Sequence, residues 1–167
     1  NLDENQREYM NTVHESANIL IEIINNILDF SKIESGKLEL NIEEINLVEL
    51  THHVVDMFKY QAELKGIDLI LNSKESVPSF VFADSVRLKQ ILVNLIGNAL
   101  KFTTTGFVRL DISSEIISGG ENRCLLNFSV KDSGIGIKQE NQEKVFQSFI
   151  QEDCSITRKF GGTGLGL

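Results

Sequence analysis

The sequence predicts an α+β fold: a two-layer sandwich of helices on one face of a mixed sheet, hung from a long coiled-coil-like helix. Three patterns carry that expectation. A seven-residue apolar repeat runs through the first 34 residues, two later helices are expected from the cap Asn46 and from about Asp84, and two strictly alternating runs flank a glycine-rich turn. The 167 residues suffice for one domain plus an extra element. A hydrophobic fraction of 41% with 24% charged residues suits a soluble globular protein. No run approaches the roughly 18 apolar residues of a membrane span, because Glu22 interrupts the most apolar stretch. The polar start, with Asn1, Asp3 and Glu4, resembles neither a signal nor a targeting segment.

The first helix is expected over residues 5–34. Met10, Ala17, Ile24 and Ser31 recur every seven residues, with Val13, Leu20 and Ile27 interleaved, and Ile21 and Leu28 widen the seam. That seam fits either an amphipathic helix lying on its own domain or a bundle helix needing partners from outside the chain. Ser35-Gly36 ends it. Leu38, Leu40 and Ile42 alternate with polar neighbours and predict a strand. Asn46 caps a helix that Gly66 stops after Lys65. A strand near residues 68–71 and a loop punctuated by Pro78 follow, and a second helix begins at about Asp84. Val108, Leu110 and Ile112, then Leu126, Phe128 and Val130, predict an antiparallel hairpin across the turn at 118–122. Beyond Asp132 the chain is glycine-rich, with one short helix expected near residues 139–149.

The formal charge of −8 argues against nucleic acid as a partner, since phosphate backbones recruit clustered Lys and Arg. A single nucleotide is compatible, because a few cations and backbone amides suffice for it. Cys124 and Cys154 form no CxxC pair and read as free thiols, with a disulfide as the alternative.

The helix from Asp84 carries two stripes. Leu88, Ile91, Leu92, Leu95, Ile96 and Ala99 form its apolar face, while Arg87, Gln90, Asn94, Asn98 and Lys101 align on another. Asparagine is a poor interior helix former, so two of them one turn apart suggest a task. Neutral amide oxygens suit Mg²⁺, which takes the rest of its shell from water and phosphate, and Lys101 would face that phosphate. A solvated polar face is the plainer alternative. Asp132-Ser133-Gly134-Ile135-Gly136-Ile137 follows a strand. A carboxylate there can accept from the exocyclic amine of adenine, while the two glycines let the base approach the backbone. An ordinary turn would look the same. Gly161-Gly162-Thr163-Gly164-Leu165-Gly166-Leu167 offers bare amides to phosphate or is a flexible tail. It lacks the Lys-Ser/Thr of a P-loop, and its glycine spacing is not that of a dinucleotide fingerprint.

In order along the chain, residues 94–103, 132–137, 143–149 and 162–167 resemble the N, G1, F and G2 boxes of sensor histidine kinases. These belong to the ATPase and kinase superfamily shared with gyrase and the mismatch-repair ATPases. Ile27-Leu28-Asp29-Phe30-Ser31-Lys32-Ile33-Glu34-Ser35-Gly36-Lys37 is similar to the end of that family's second bundle helix. The resemblance implies residues 1–35 as part of a dimerisation and phosphotransfer domain and 36–167 as a catalytic ATP-binding domain. It implies ATP and Mg²⁺ as ligands, a homodimer through the first helix, and a response regulator receiver domain as partner. It also implies a cytoplasmic setting without direct membrane contact from this segment.

By position, the resemblance makes Asn98 the principal Mg²⁺ ligand and Asn94 its companion, sets Lys101 on the phosphates and Phe102 beside the base. Asp132 reads adenine, and Gly134, Gly136 and Ile137 shape the pocket. Phe146 and Phe149 hinge a lid over residues 151–161, and Gly162, Thr163, Gly164, Leu165, Gly166 and Leu167 cap the phosphates. Gln151 stands where some members place an arginine for the terminal phosphate, so Arg158 or Lys159 is the substitute. Asparagine at 94, where hydrolysing relatives place a general-base glutamate, favours a kinase over an ATPase. His14-Glu15 lacks the proline of the phosphoacceptor motif, so the acceptor histidine is expected outside this sequence, as is the C-terminal end of the catalytic domain. A superfamily ATPase and a non-catalytic nucleotide-sensing dimerisation module are the competing readings.

Overall fold

The computed structural model describes residues 3–117 and 123–142, leaving aside the side chains of residues 15, 19, 22 and 140. Helix α1 spans Glu4–Glu34. Asp3 caps it by accepting from the Gln6 amide at 2.8 Å, and the Gln6 side chain accepts from the Asp3 amide at 3.1 Å. This reciprocal pair satisfies two of the donors a helix start leaves open. The helix ends at Ser35, and Gly36 follows with φ 64°, a left-handed turn that glycine adopts without strain. Along α1 the seam residues Met10, Val13, Leu20, Ile24 and Ile27 all stand exposed, from 47% to 63%. They do not lie on the domain below, so α1 is not an amphipathic helix packed on its own domain. Among the described side chains of α1, only Ile23, Asn26, Asp29 and Phe30 are partly covered, and they occupy a different face.

Strand β1 is Glu43–Asn46, later than the alternation of Leu38, Leu40 and Ile42 predicts. Its partner is β3 at Phe80–Ala83, where the sequence predicts no strand, with Glu43 opposite Ala83 and Asn46 opposite Phe80. Beyond Ala83 the chain turns away at Asp84 to start a helix, so residues 38–42 have no ladder opposite them among the described residues. Leu40 and Ile42 remain exposed. Alternation alone cannot tell a paired strand from an unpaired extended segment.

Helix α2, Leu47–Lys65, keeps the boundaries its caps predict: the Asn46 side chain accepts from the Glu49 amide, and Gly66 closes it at φ 64°. Strand β2, Ile67–Ser73, pairs in parallel with β4, Gly106–Ile116, which pairs antiparallel with β5, Cys124–Asp132. Helix α3, Ser85–Phe102, comes between β3 and β4. Val54, Val55 and Ala62 of α2 and Leu92, Ile96, Ala99 and Leu100 of α3 pack with Ile67, Val108, Leu110 and Ile112 of the sheet. Helices on one sheet face make the expected two layers. The apolar face of α3 is rotated from the predicted one, since Ile91 is exposed and Leu100 is fully buried. The end of α3 is tied down by Lys65, whose Nζ donates to the Leu100 carbonyl at 2.7 Å and so places a cation on a helix C-terminus.

The long helix is fastened to the body near its end. Arg87, in the first turn of α3, grips the Asp29 carboxylate with both terminal nitrogens, and Gln90 supports the pair. The Arg87 hydrogen bond holds the Asp29 carboxyl below its ordinary value of 3.8, outweighing the opposing effect of burial, with Gln90 contributing. A carboxyl lowered in this way stabilises the folded form above its unfolded pKa, and that contribution is lost as pH falls through the lowered folded value. Docking of α1 should therefore be unchanged between about pH 5 and 8 and loosen only in more acid solution. Limited proteolysis at Ser35 to Lys37 across that range will show it.

Candidate functional site

Asp84 caps α3 by accepting from the Arg87 amide at 3.0 Å, which sets the phase of the helix. With Leu92, Ile96 and Leu100 buried in the core, Asn94, Asn98 and Lys101 come to a half-covered face at the C-terminal half of the helix. The polar stripe expected to act as one is divided. Arg87 and Gln90 are engaged by Asp29, and Asn94, Asn98 and Lys101 follow on the next turns. Lys101 Nζ lies 5.2 Å from the centre of the Phe102 ring, within range of a cation–π attraction.

Asp132 is the last residue of β5, opposite Val108. Its Oδ1 accepts from the Gly134 amide at 2.9 Å, which curls the chain back toward α3. The Ile135 amide then donates to the Phe102 carbonyl at 3.4 Å. Gly134 sits so close to that carbonyl that a Cβ would come within 2.5 Å of its oxygen and 2.8 Å of Asp132 Oδ1. The loop carrying Asp132 and the end of the helix carrying Lys101 and Phe102 are thus in contact. Gly136 meets a different demand. Nothing lies within 4 Å of where its Cβ would be, but its φ of 68° is left-handed. Ile137 is half exposed beside it.

Ser133 is a residue that sequence reasoning passed over. Its Oγ accepts from the Phe107 amide at 2.9 Å and donates to the Thr105 carbonyl at 3.1 Å, while its own amide donates to the Phe107 carbonyl. These bonds join the turn after α3 to the end of β5. Gly106 keeps a side chain out of their way. A hydroxyl beside a pocket carboxylate, with a glycine opening the neighbouring strand, is the signal that would have found it.

His14 is exposed on α1 and pairs with Asn18 at 3.2 Å, consistent with a surface role. Among the described residues Cys124 has no disulfide partner, and Cys154 lies outside them. Phe146, Phe149, Gln151, Arg158, Lys159, Gly162, Thr163, Gly164, Leu165, Gly166 and Leu167 lie outside the described residues. Among the described residues, no group of three His, Cys, Asp or Glu side chains could hold a metal by itself. None of the described helices is long and apolar enough to cross a membrane.

Residues 83–167 match the family described as histidine kinase-, DNA gyrase B-, and HSP90-like ATPase. The chain belongs to that family. Residues 1–36 match the His Kinase A phospho-acceptor domain, over the length of α1 and the turn that ends it. The signal transduction histidine-protein kinase BarA of Escherichia coli K12 is 43% identical over 162 residues, covering 97% of this chain and 17% of BarA. Full-length ShkA, crystallised with AMPPNP, superposes with a TM-score of 0.78 at 32% identity, over 99% of this chain and 33% of that one. The histidine kinase ThkA, crystallised with the response regulator protein TrrA, gives 0.59 at 29% identity, over 95% of this chain and 45% of that one. The chain thus joins a His Kinase A segment to an ATPase segment of the histidine kinase type and is similar over nearly its whole length to a histidine kinase. It spans about a sixth of BarA's length.

Proposed function

We propose that this chain is the Mg-ATP-binding module that phosphorylates a histidine on its dimerisation domain, for relay to a response regulator aspartate. The observation carrying the proposal is the contact between the Asp132 loop and the end of α3, made through Gly134 and the Ile135–Phe102 bond. A contact between an acceptor-only carboxylate loop and the end of an amide-bearing helix supports a shared nucleotide site. Asp132 Oδ1 is committed to Gly134, and no described residue hydrogen-bonds Oδ2, which suits acceptance from the exocyclic amine of adenine. Phe102 flanks the base, and Gly136 and Ile137 form the neighbouring wall. Lys101 meets the phosphates.

The donor set fits magnesium bound together with nucleotide. Asn98 and Asn94 offer two neutral oxygens, a partial shell of the kind Mg²⁺ completes with phosphate and water. When bound, the ion supplies charge neutralisation for the triphosphate. Asn94 has no basicity with which to activate water, which favours transfer over hydrolysis. In the intact kinase an imidazole nitrogen attacks the γ-phosphorus, the bond to the β–γ bridging oxygen breaks, ADP leaves, and the imidazole gives up its proton. In this reading Arg158 or Lys159, Gly162 to Leu167 and Phe149 complete the phosphate cap and lid.

The proposal divides the chain at residue 35, with 36–167 as the catalytic domain. The exposed seam of α1 supports a homodimer, and the ThkA–TrrA complex supports a receiver domain as partner. A cytoplasmic setting follows from the need for ATP. Incubating the intact kinase with Mg-ATP should yield an acid-labile, alkali-stable phosphoprotein, and Asn98→Ala should reduce its formation by about 10- to 100-fold. Fast phosphate release without phosphoprotein would establish the ATPase reading instead. ATP binding with neither product would mark a nucleotide-sensing module.

A further inference from the structure

The grip of Arg87 on Asp29 joins residues 58 positions apart. Arg87 Nη1 meets Oδ2, Nη2 meets Oδ1 at 2.9 Å, and Gln90 closes the cluster by accepting from Nη1 at 2.8 Å. The two side chains are only 28% and 20% exposed. Six residues after Asp29 the helix stops at Ser35, and Gly36 and a segment with no ladder partner among the described residues lead on to β1. The covalent connection is therefore a poor determinant of how α1 sits on the body. A two-pronged guanidinium–carboxylate contact, by contrast, fixes angle as well as distance.

We propose that Asp29, Arg87 and Gln90 form an interdomain latch, and that Asp29 and Arg87 are positioning residues for phosphoryl transfer. Arg87 and Gln90 lie on the same stripe of α3 as Asn94, Asn98 and Lys101, so the helix turns one face to both α1 and the ligand. From Arg87 to Lys101 that face runs about 20 Å. With the latch closed, the phosphate-bearing face is directed to the side on which the bundle helix lies, and its angle is set by a contact remote from the chemistry. This rests on reading Asn94, Asn98 and Lys101 as the nucleotide side of α3. It assigns no nucleotide contact to the latch itself.

In the intact kinase, Asp29→Asn and Arg87→Lys should each lower the transfer rate at saturating Mg-ATP by about tenfold or more, the cost of a misdirected site. The KM for ATP should stay within about twofold, because binding is untouched. Lysine should fail because a point charge does not reproduce the fork. The exchanged pair Asp29→Arg with Arg87→Asp should recover most of the lost rate. Spin labels at Glu8→Cys and Glu63→Cys, with Cys124 and Cys154 replaced by Ser, should give a narrow distance distribution that broadens in each single variant. Unchanged rates with an unchanged distribution would overturn the latch, as would a rate loss accompanied by a matching rise in KM. Failure of the unaltered kinase to bind ATP would instead overturn the proposed function, and the label distances would still judge the latch.

Discussion

Replacing Asp132 by Asn should weaken ATP binding by about 10- to 100-fold, the equivalent of about 1.5–3 kcal/mol for a hydrogen bond to a charged group. The substitution is nearly isosteric. The amide oxygen of asparagine can keep the 2.9 Å bond from Gly134, so the loop retains its path. What changes is the other arm, which becomes an NH₂ donor directed at another donor, the exocyclic amine of adenine. A mismatch of that kind costs more than a missing bond, because two hydrogen-bonding groups lose water and gain nothing. The same arm suits the carbonyl oxygen that guanine presents at that edge, so the preference for ATP over GTP should shrink or invert. Titration calorimetry with both nucleotides reads both effects. Unaltered ATP affinity would remove Asp132 from the pocket.

Gly134→Ala should disable the described part of the site with a single methyl. The added Cβ would stand 2.5 Å from the Phe102 carbonyl oxygen and 3.0 Å from its carbon, both backbone atoms at the end of a packed helix. Neither can swing aside as a flexible side chain does. The loop must lift away from α3, which separates Asp132 from Lys101 and Phe102 and breaks the Ile135–Phe102 bond. Overpacking of this kind costs about 1–3 kcal/mol in stability, and nucleotide binding should fall below detection because the two halves of the pocket part. Gly136→Ala supplies the contrast. Its methyl meets open space, and the penalty of about 1–2 kcal/mol comes from the left-handed backbone alone. Urea unfolding of both variants beside nucleotide titration separates clash from strain. Equal losses in the two would show that the contact with Phe102 is not what holds the pocket together.

The parts of this architecture legible in the sequence are those governed by neighbours. Asn46 and Gly66 bound α2 because capping depends on residues within a turn, and Asp84 announces α3 for the same reason. The β4–β5 hairpin follows from two alternating runs close together. The site residues on α3 and in the Asp132 loop could be named individually, but not the contact that unites them, since it depends on a main-chain carbonyl at Phe102. The displaced β1 and the unforeseen β3 depend on each other across nearly forty residues, with only four pairs to signal it. Likewise, nothing local to Arg87 reveals that Asp29 is its partner.

The parallel pairing of β2 with β4 bears on the order in which the chain can be assembled. Asn72 and Asp111 bond side chain to side chain across 39 residues, and every rung between these strands spans a similar distance. During synthesis β2 leaves the ribosome with no strand to join, and Leu69 and Leu71 wait uncovered until α3 and β4 have followed. Early structure must come from α2 and then from the β4–β5 hairpin, with β2 drawn in last, the step in which closing a long loop is slow.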